Sequence, residues 1–238
     1  MKSLRLPTPR PQHATLRVPG DKSISHRILM LAAIAQGRTR IHGANEGDDV
    51  AATMRALRAL GVQVMASGNV ITVEGTRSLR QPRATLDCGN SGTAMRLLMG
   101  LVAGRVYAVL DGDRSLRRRP MERVAAPLRS MGADIATAPG GTPPVTVHES
   151  PSGLRGIRYR LPVASAQLKS ALLIAGLRAQ GATVLRAATS SRDHTERLMR
   201  FMGARIAADK DVITLQPGRL RALRDFRVPG DLSAAFYL

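Results

Sequence analysis

Apolar residues recur along this chain in two alternating styles. Val50, Met54, Leu57 and Leu60 fall at helical spacing, as do Met121, Val124, Leu128 and Met131, and again Leu198, Met199 and Met202 with Arg197 and Arg200 outward. Polar residues fill the other faces, which predicts three amphipathic helices. Residues 28–36, 94–103 and 168–177 are instead apolar on nearly every side, which predicts three helices enclosed by protein. A glycine closes each helix: Gly61, Gly132 and Gly203 for the first kind, Gly37, Gly104 and Gly181 for the second. Short β-like runs follow the enclosed helices at 39–42, 106–110 and 183–186. Pairs of alternating runs follow the amphipathic ones, at 62–64 with 70–73, Ile135 with 145–147, and Ile206 with 212–215. Gly68-Asn69, Gly140-Gly141 and Asp209-Lys210-Asp211 supply the turns within those pairs. Pro127 lies inside the second amphipathic helix and is expected to kink it.

The pattern repeats. Leu60-Gly61-Val62, Met131-Gly132-Ala133 and Met202-Gly203-Ala204 are separated by a constant interval of 71 residues. Each unit reads strand, enclosed helix, strand, amphipathic helix, then two strands. The expected fold is therefore α/β, with three pseudo-symmetric βαβαββ units around parallel buried helices, at about 17–87, 88–155 and 156–226. Arg17-Val18-Pro19-Gly20-Asp21 recurs letter for letter as Arg227-Val228-Pro229-Gly230-Asp231, three periods later. Residues 227–238 accordingly read as the start of a fourth unit, the opening of a second domain that the 238-residue sequence does not contain. Residues 1–16, acid-free and rich in proline, read as a short loop or edge segment.

Charge narrows the class of partner. Lysine and arginine number 36 against 17 acidic residues, giving a net charge of +19, and only Lys2, Lys22, Lys169 and Lys210 are lysines. An anionic partner is implied. Single-stranded nucleic acid needs stacking aromatics, and aromatic residues are only 3% of this chain, so small phosphorylated or carboxylated molecules are the better fit. Cys88 stands alone, which removes an intramolecular disulfide framework and points to a reducing compartment such as the cytoplasm. The longest apolar run, 28–35, is far shorter than a membrane span.

Candidate chemistry gathers where the enclosed helices begin. Gly20-Asp21-Lys22-Ser23-Ile24-Ser25-His26-Arg27, Gly89-Asn90-Ser91-Gly92-Thr93-Ala94-Met95-Arg96 and Ala164-Ser165-Ala166-Gln167-Leu168-Lys169-Ser170 are all small, polar and cationic. Helix starts carry free N–H groups and a partial positive charge, so three converging starts would bind a phosphate or carboxylate. Ser23, Asn90 and Ser165 also suit plain N-capping, as do Asp48 and Asp193 on the amphipathic helices. Lys22, Arg27 and Lys169 adjoin apolar helices, where a lone charge is costly unless an anion or a side chain meets it. In the charge-rich loop from Asp111 to Met121, Arg119 stands just before Pro120, placed to clamp an oxyanion. No P-loop is present, since Lys22 follows Asp21, and no dinucleotide fingerprint, nucleophile elbow or metal-ligand spacing appears.

These four ordered motifs, Pro19 to Arg27, Gly89 to Arg96, Arg119-Pro120-Met121 and Ser165 to Ser170, resemble those of the EPSP synthase family of enolpyruvyl transferases. The form Ser-Ala-Gln-x-Lys, with Arg192-x-His194-x-Glu196, resembles its class II bacterial members. That class often tolerates glyphosate, whereas Gly92 is the residue associated with sensitivity. The resemblance implies one of the family's two domains, with residues 1–16 pairing with the other. It implies transfer of the enolpyruvyl group of phosphoenolpyruvate to the 5-hydroxyl of shikimate 3-phosphate, in the shikimate pathway, without cofactor, by a protein that is a monomer when whole; the lack of ligand spacing separately predicts no metal. By motif, Lys22, Ser23, Arg27, Ser165, Ala166, Gln167, Ser191 and Arg192 are expected to hold shikimate 3-phosphate, and Lys22, Gly92, Arg119 and Gln167 to hold phosphoenolpyruvate. The family's acid/base aspartate has no counterpart up to Leu238. The sister transferase acting on UDP-N-acetylglucosamine is the nearest alternative, but its Lys-Asn pair and loop cysteine are absent; a basic nucleic-acid-binding module is the alternative of another class.

Overall fold

The alternating strands sort into three four-stranded sheets, each backed by one enclosed and one amphipathic helix. The computed structural model describes residues 18–187 and 191–236; the leader 1–16 and Arg17 lie outside the described residues. The first unit comprises α1 (Lys22–Ala33), β1 (Arg38–His42), α2 (Asp48–Ala59), β2 (Gln63–Ser67) and β3 (Val70–Glu74). The second runs β4 (Leu86–Asp87), α3 (Gly92–Val102), β5 (Ala108–Asp111), α4 (Glu122–Ser130), β6 (Asp134–Ala138) and β7 (Thr142–His148). The third repeats it as β8 (Arg158–Leu161), α5 (Ala166–Gly176), β9 (Thr183–Ala187), α6 (His194–Phe201), β10 (Ile206–Asp209) and β11 (Val212–Leu215). The chain continues through β12 (Asp225–Arg227) to the single turn of α7 (Leu232–Ala235).

In the second and third units the first strand lies parallel to the second, and the closing pair is antiparallel, giving orders β4-β5-β7-β6 and β8-β9-β11-β10. The first unit fills the same place differently. Its order is β12-β1-β3-β2, with β12 parallel to β1 through Ile41 opposite Phe226. Residues 225–227 thus complete the first sheet although they follow the third. The two Val-Pro-Gly-Asp copies then face each other, with Asp21 N donating to Pro229 O and Asp231 N to Pro19 O, both at 2.8 Å.

The enclosed helices form the centre. Every residue of α1 from Ser25 to Ala33 is buried, as is α5 from Leu168 to Gly176. Each large aliphatic removed from water contributes about 1.5–3 kcal/mol, so these apolar surfaces dominate the fold. Helices α3 and α5 approach closely: a Cβ on Gly100 would lie 2.3 Å from the Ala171 carbonyl oxygen, so glycine is needed there. Gly61, Gly132 and Gly203, one period apart, close the amphipathic helices at φ of +84°, +93° and +85°. Helix α4 continues through Pro127 from Glu122 to Ser130.

Capping differs from expectation at four starts. Asp21, not Ser23, caps α1 by accepting from Ile24 N at 2.7 Å, and Ser91, not Asn90, caps α3 by accepting from Ala94 N at 3.1 Å. Helices α1, α2 and α3 begin one or two residues away from the positions read in the sequence because several adjacent residues could cap. Gly47 precedes α2, with Asp48 already helical, and Asp193 precedes α6 without a side-chain cap bond. Ser165 caps α5 as expected.

Candidate anion-binding site

All eight residues expected to hold shikimate 3-phosphate line one cleft of about 770 Å³ at the starts of α1 and α5. Thr93, in the first turn of α3, joins them, so the three enclosed helices begin at the same end. Arg123, Asp21, Asp231 and Ser233 also line it. The cations Lys22, Arg27, Arg123 and Arg192 outnumber the carboxylates Asp21 and Asp231, and the helix starts add partial positive charge.

Arg27 is the buried centre of this cleft. Its Nε donates to Thr195 Oγ1 at 2.8 Å, Nη1 to Ser23 O at 3.0 Å and Ser23 Oγ at 2.7 Å, and Nη2 to Ser170 Oγ at 2.9 Å and Ala166 O at 3.4 Å. All five donors meet neutral oxygens. Burial lowers its pKa to about 10, Glu196 raising and Arg192 lowering it by charge, so the group stays protonated at neutral pH. A charge held this way is solvated by dipoles without being neutralised, and its field reaches the cleft.

Of the two partners open to Lys169, the structure selects a side chain. The Lys169 side chain is 4% exposed and pairs with the equally enclosed Glu196 at 2.5 Å, so a side chain and not a ligand meets it. Lys22 is exposed and pairs with Asp49 at 3.0 Å, a surface contact that a ligand can readily replace. Ser191 lines the cleft, and its Oγ is buried without a hydrogen-bond partner among the described residues.

Of the four residues expected to hold phosphoenolpyruvate, Lys22 and Gln167 line the cleft itself and Gly92 and Arg119 do not. Gln167 is gripped from the second unit, its Oε1 accepting from Arg96 Nη1 at 2.8 Å and its Nε2 donating to Thr93 Oγ1 at 2.9 Å. Arg96 is itself buried, its pKa lowered to about 10 by burial and then by the charges of Arg123 and Arg119. A Cβ on Gly92 would sit 2.8 Å from Arg96 Nη1 and 3.2 Å from Arg119 Nη1, so the missing side chain leaves room beside two guanidiniums. Within the charge run, Arg117 is turned away into a two-pronged pair with Asp111, while Arg119 is fixed toward Gly92 by Asn90 Oδ1.

Sequence reasoning did not single out Thr93, Arg96, Arg123 or Thr195. One signal was available: Arg96 and Gln167 are separated by 71 residues, so the repeat puts them at equivalent places on neighbouring helices. Ser23 Oγ also lies 3.4 Å from His194 Nδ1, which sequence distance concealed. That contact is long, and the Ser23 hydroxyl already accepts from Arg27, so it is no nucleophile and base pair.

The model of the family described as EPSP synthase (3-phosphoshikimate 1-carboxyvinyltransferase) matches residues 6–238. The 3-phosphoshikimate 1-carboxyvinyltransferase of Halorhodospira halophila is 50% identical over 230 residues, covering 95% of this chain and 52% of that protein. One from Thermus thermophilus is 50% identical over 245 residues, covering 100% of this chain and 56% of the relative. A solved EPSP synthase from Acinetobacter baumannii superposes with a TM-score of 0.88 at 44% identity, over 92% of this chain and 50% of that one. The chain spans about half the length of the curated relatives it matches.

Proposed function

Since the chain belongs to the EPSP synthase family, we propose that its cleft serves the transfer of the enolpyruvyl group of phosphoenolpyruvate to the 5-hydroxyl of shikimate 3-phosphate, with release of phosphate. The observation that carries this reading is the convergence of three helix starts on one cleft around a buried, protonated arginine with only neutral partners. Both substrates bear a phosphate and a carboxylate. Such groups repel one another unless fixed positive charge and oriented N–H dipoles offset them.

Shikimate 3-phosphate lies across the α1 and α5 starts in this proposal. Ser23, Ser165, Gln167 and Ser191 contact it by side chain, Ala166 by its backbone, and Arg192 from the rim. Arg27 acts mainly as a buried charge that orients the Ser23 hydroxyl; its weakest bond, to Ala166 O, is the one a ligand oxygen can replace. Phosphoenolpyruvate occupies the side nearer α3, beside Gly92 and Arg119. Lys22 exchanges Asp49 for both substrates, and Gln167, held by Arg96 and Thr93, touches both. No proton transfer is assigned to a residue of this chain, and no cofactor or metal enters. A cytoplasmic monomer belongs to the same proposal; among the described residues no helix is long and apolar enough to cross a membrane.

Calorimetric titration with shikimate 3-phosphate tests the reading. One equivalent binds to the parent chain, and Lys22→Ala and Arg27→Gln each weaken it by about tenfold or more, the loss of one charge-assisted contact. Absence of binding by a folded parent chain overturns it.

A further inference from the structure

We propose that the opposite end of the helix bundle holds a second anion site, built for a small phosphate dianion, free or as a phosphate monoester. Four arginines, Arg77, Arg105, Arg178 and Arg219, line a separate cleft of about 380 Å³ together with Ala35 and Leu177, where α1 and α5 end. Arg105 follows the end of α3 by three residues, so all three enclosed helices finish around this cleft. No carboxylate lines it, and none of the four arginines forms an ion pair among the described residues. Glu149 is exposed in the adjoining hollow that shares Arg77, Arg105 and Arg178.

Arg105 supplies the second, independent observation. Its Nη2 is buried without any hydrogen-bond partner among the described residues, a condition that costs stability unless something accepts from it. Burial lowers its pKa to about 9, with repulsion from Arg178 adding to the effect, so the charge persists at neutral pH. Arg178 is held over the cleft by Nη1 donating to Arg77 O at 2.8 Å.

A purely structural role would have these arginines neutralise the carbonyl ends of the helices. The magnitudes do not match: three helix ends supply roughly −1.5 elementary charges in all, against four guanidiniums. The residual charge is close to that of a phosphate dianion, and guanidiniums are the side chains whose fork fits phosphate oxygens. The cleft's size limits the ligand to a small molecule. Nothing in the proposed transfer reaction uses this end of the fold.

Equilibrium dialysis of the full chain against radiolabelled inorganic phosphate, and in a second arm glycerol phosphate, tests the assignment. Binding at this end is expected to weaken about tenfold in Arg178→Gln and in Arg219→Gln and to be unmoved by Lys22→Ala. Arg105→Gln abolishes it; because that side chain is enclosed, the two exposed positions decide the matter if the variant does not fold. Saturable binding in either arm that responds to Arg178 and Arg219 supports the site. Binding that Arg178→Gln with Arg219→Gln leaves unaltered, or no phosphate binding apart from a component lost in Lys22→Ala, overturns it.

Discussion

Glu196→Gln is the substitution with the largest calculable effect on the frame of the cleft. The Lys169 and Glu196 side chains are each 4% exposed and meet at 2.5 Å, so solvent screens the pair very little. Glutamine keeps the shape and leaves the Lys169 ammonium without a counter-charge in the interior. Removing one member of such a pair costs about 3–5 kcal/mol, a large share of the roughly 5–15 kcal/mol that holds a domain together. Glu196 also raises the Arg27 pKa through its charge, as Asp21 does, so its loss removes one of two favourable charges near that buried guanidinium. Urea denaturation followed by circular dichroism reads the result. At an m-value of about 2–3 kcal/mol/M, a loss of about 3 kcal/mol moves the midpoint down by about 1–1.5 M. Replacing both residues, Lys169→Met with Glu196→Leu, is expected to recover most of that loss, because no charge then remains buried at the pair. A midpoint for Glu196→Gln within about 0.2 M of the parent, equivalent to about 0.5 kcal/mol at that slope, would refute the reasoning.

Two further outcomes follow from the same contacts. His26 donates or accepts at Thr53 Oγ1 over 2.7 Å, and burial lowers its pKa from 6.5 to about 4. The unfolded chain therefore binds a proton between those values that the folded chain refuses, and stability falls as pH drops from about 6.5 toward 4. The loss is about 2 kcal/mol by pH 5. Urea midpoints at pH 7 and pH 5 are expected to converge in His26→Asn relative to the parent, and an unchanged difference counts against it. Gly92→Ala places a methyl 2.8 Å from Arg96 Nη1 and 3.2 Å from Arg119 Nη1. Both guanidinium ends can swing, so the fold survives, while phosphoenolpyruvate affinity falls about tenfold and shikimate 3-phosphate affinity falls less, through the loosened hold of Arg96 on Gln167, measured by calorimetry with each ligand. Equal loss of both affinities contradicts the separation of the two subsites.

The repeat made most of the architecture legible before any coordinates. Enclosed and amphipathic helices differ in how far apolar residues extend around them, and that difference survives in α1, α3 and α5 against α2, α4 and α6. Strand β12 was not legible: Asp225-Phe226-Arg227 is three residues long, carries no alternation to read, and pairs with a strand about 185 residues away. Cap positions slipped because Asp21 and Ser23, or Asn90 and Ser91, are chemically interchangeable in that role until the backbone selects one. In the cleft, residues whose work depends on distant partners were not singled out, even where, like Thr93 and Arg96, they sit inside a recognised motif. Thr195 reaches Arg27 across 168 residues, and Arg96 orients Gln167 from another helix. For Lys169 charge alone left an anion and a side chain as equal partners, since the sequence does not reveal that Glu196 folds back onto it.

Whether the three helix starts act as one anion cleft that accepts shikimate 3-phosphate is read from a backbone amide map of the nitrogen-15-labelled chain titrated with that ligand. Saturable shifts are expected at Lys22, Ser23, Thr93, Ala166 and Gln167, with Ser78, Arg105 and Arg178 at the far end unmoved. Shifts confined to the far end, or a map that the ligand leaves unchanged throughout, would contradict a single cleft at the helix starts.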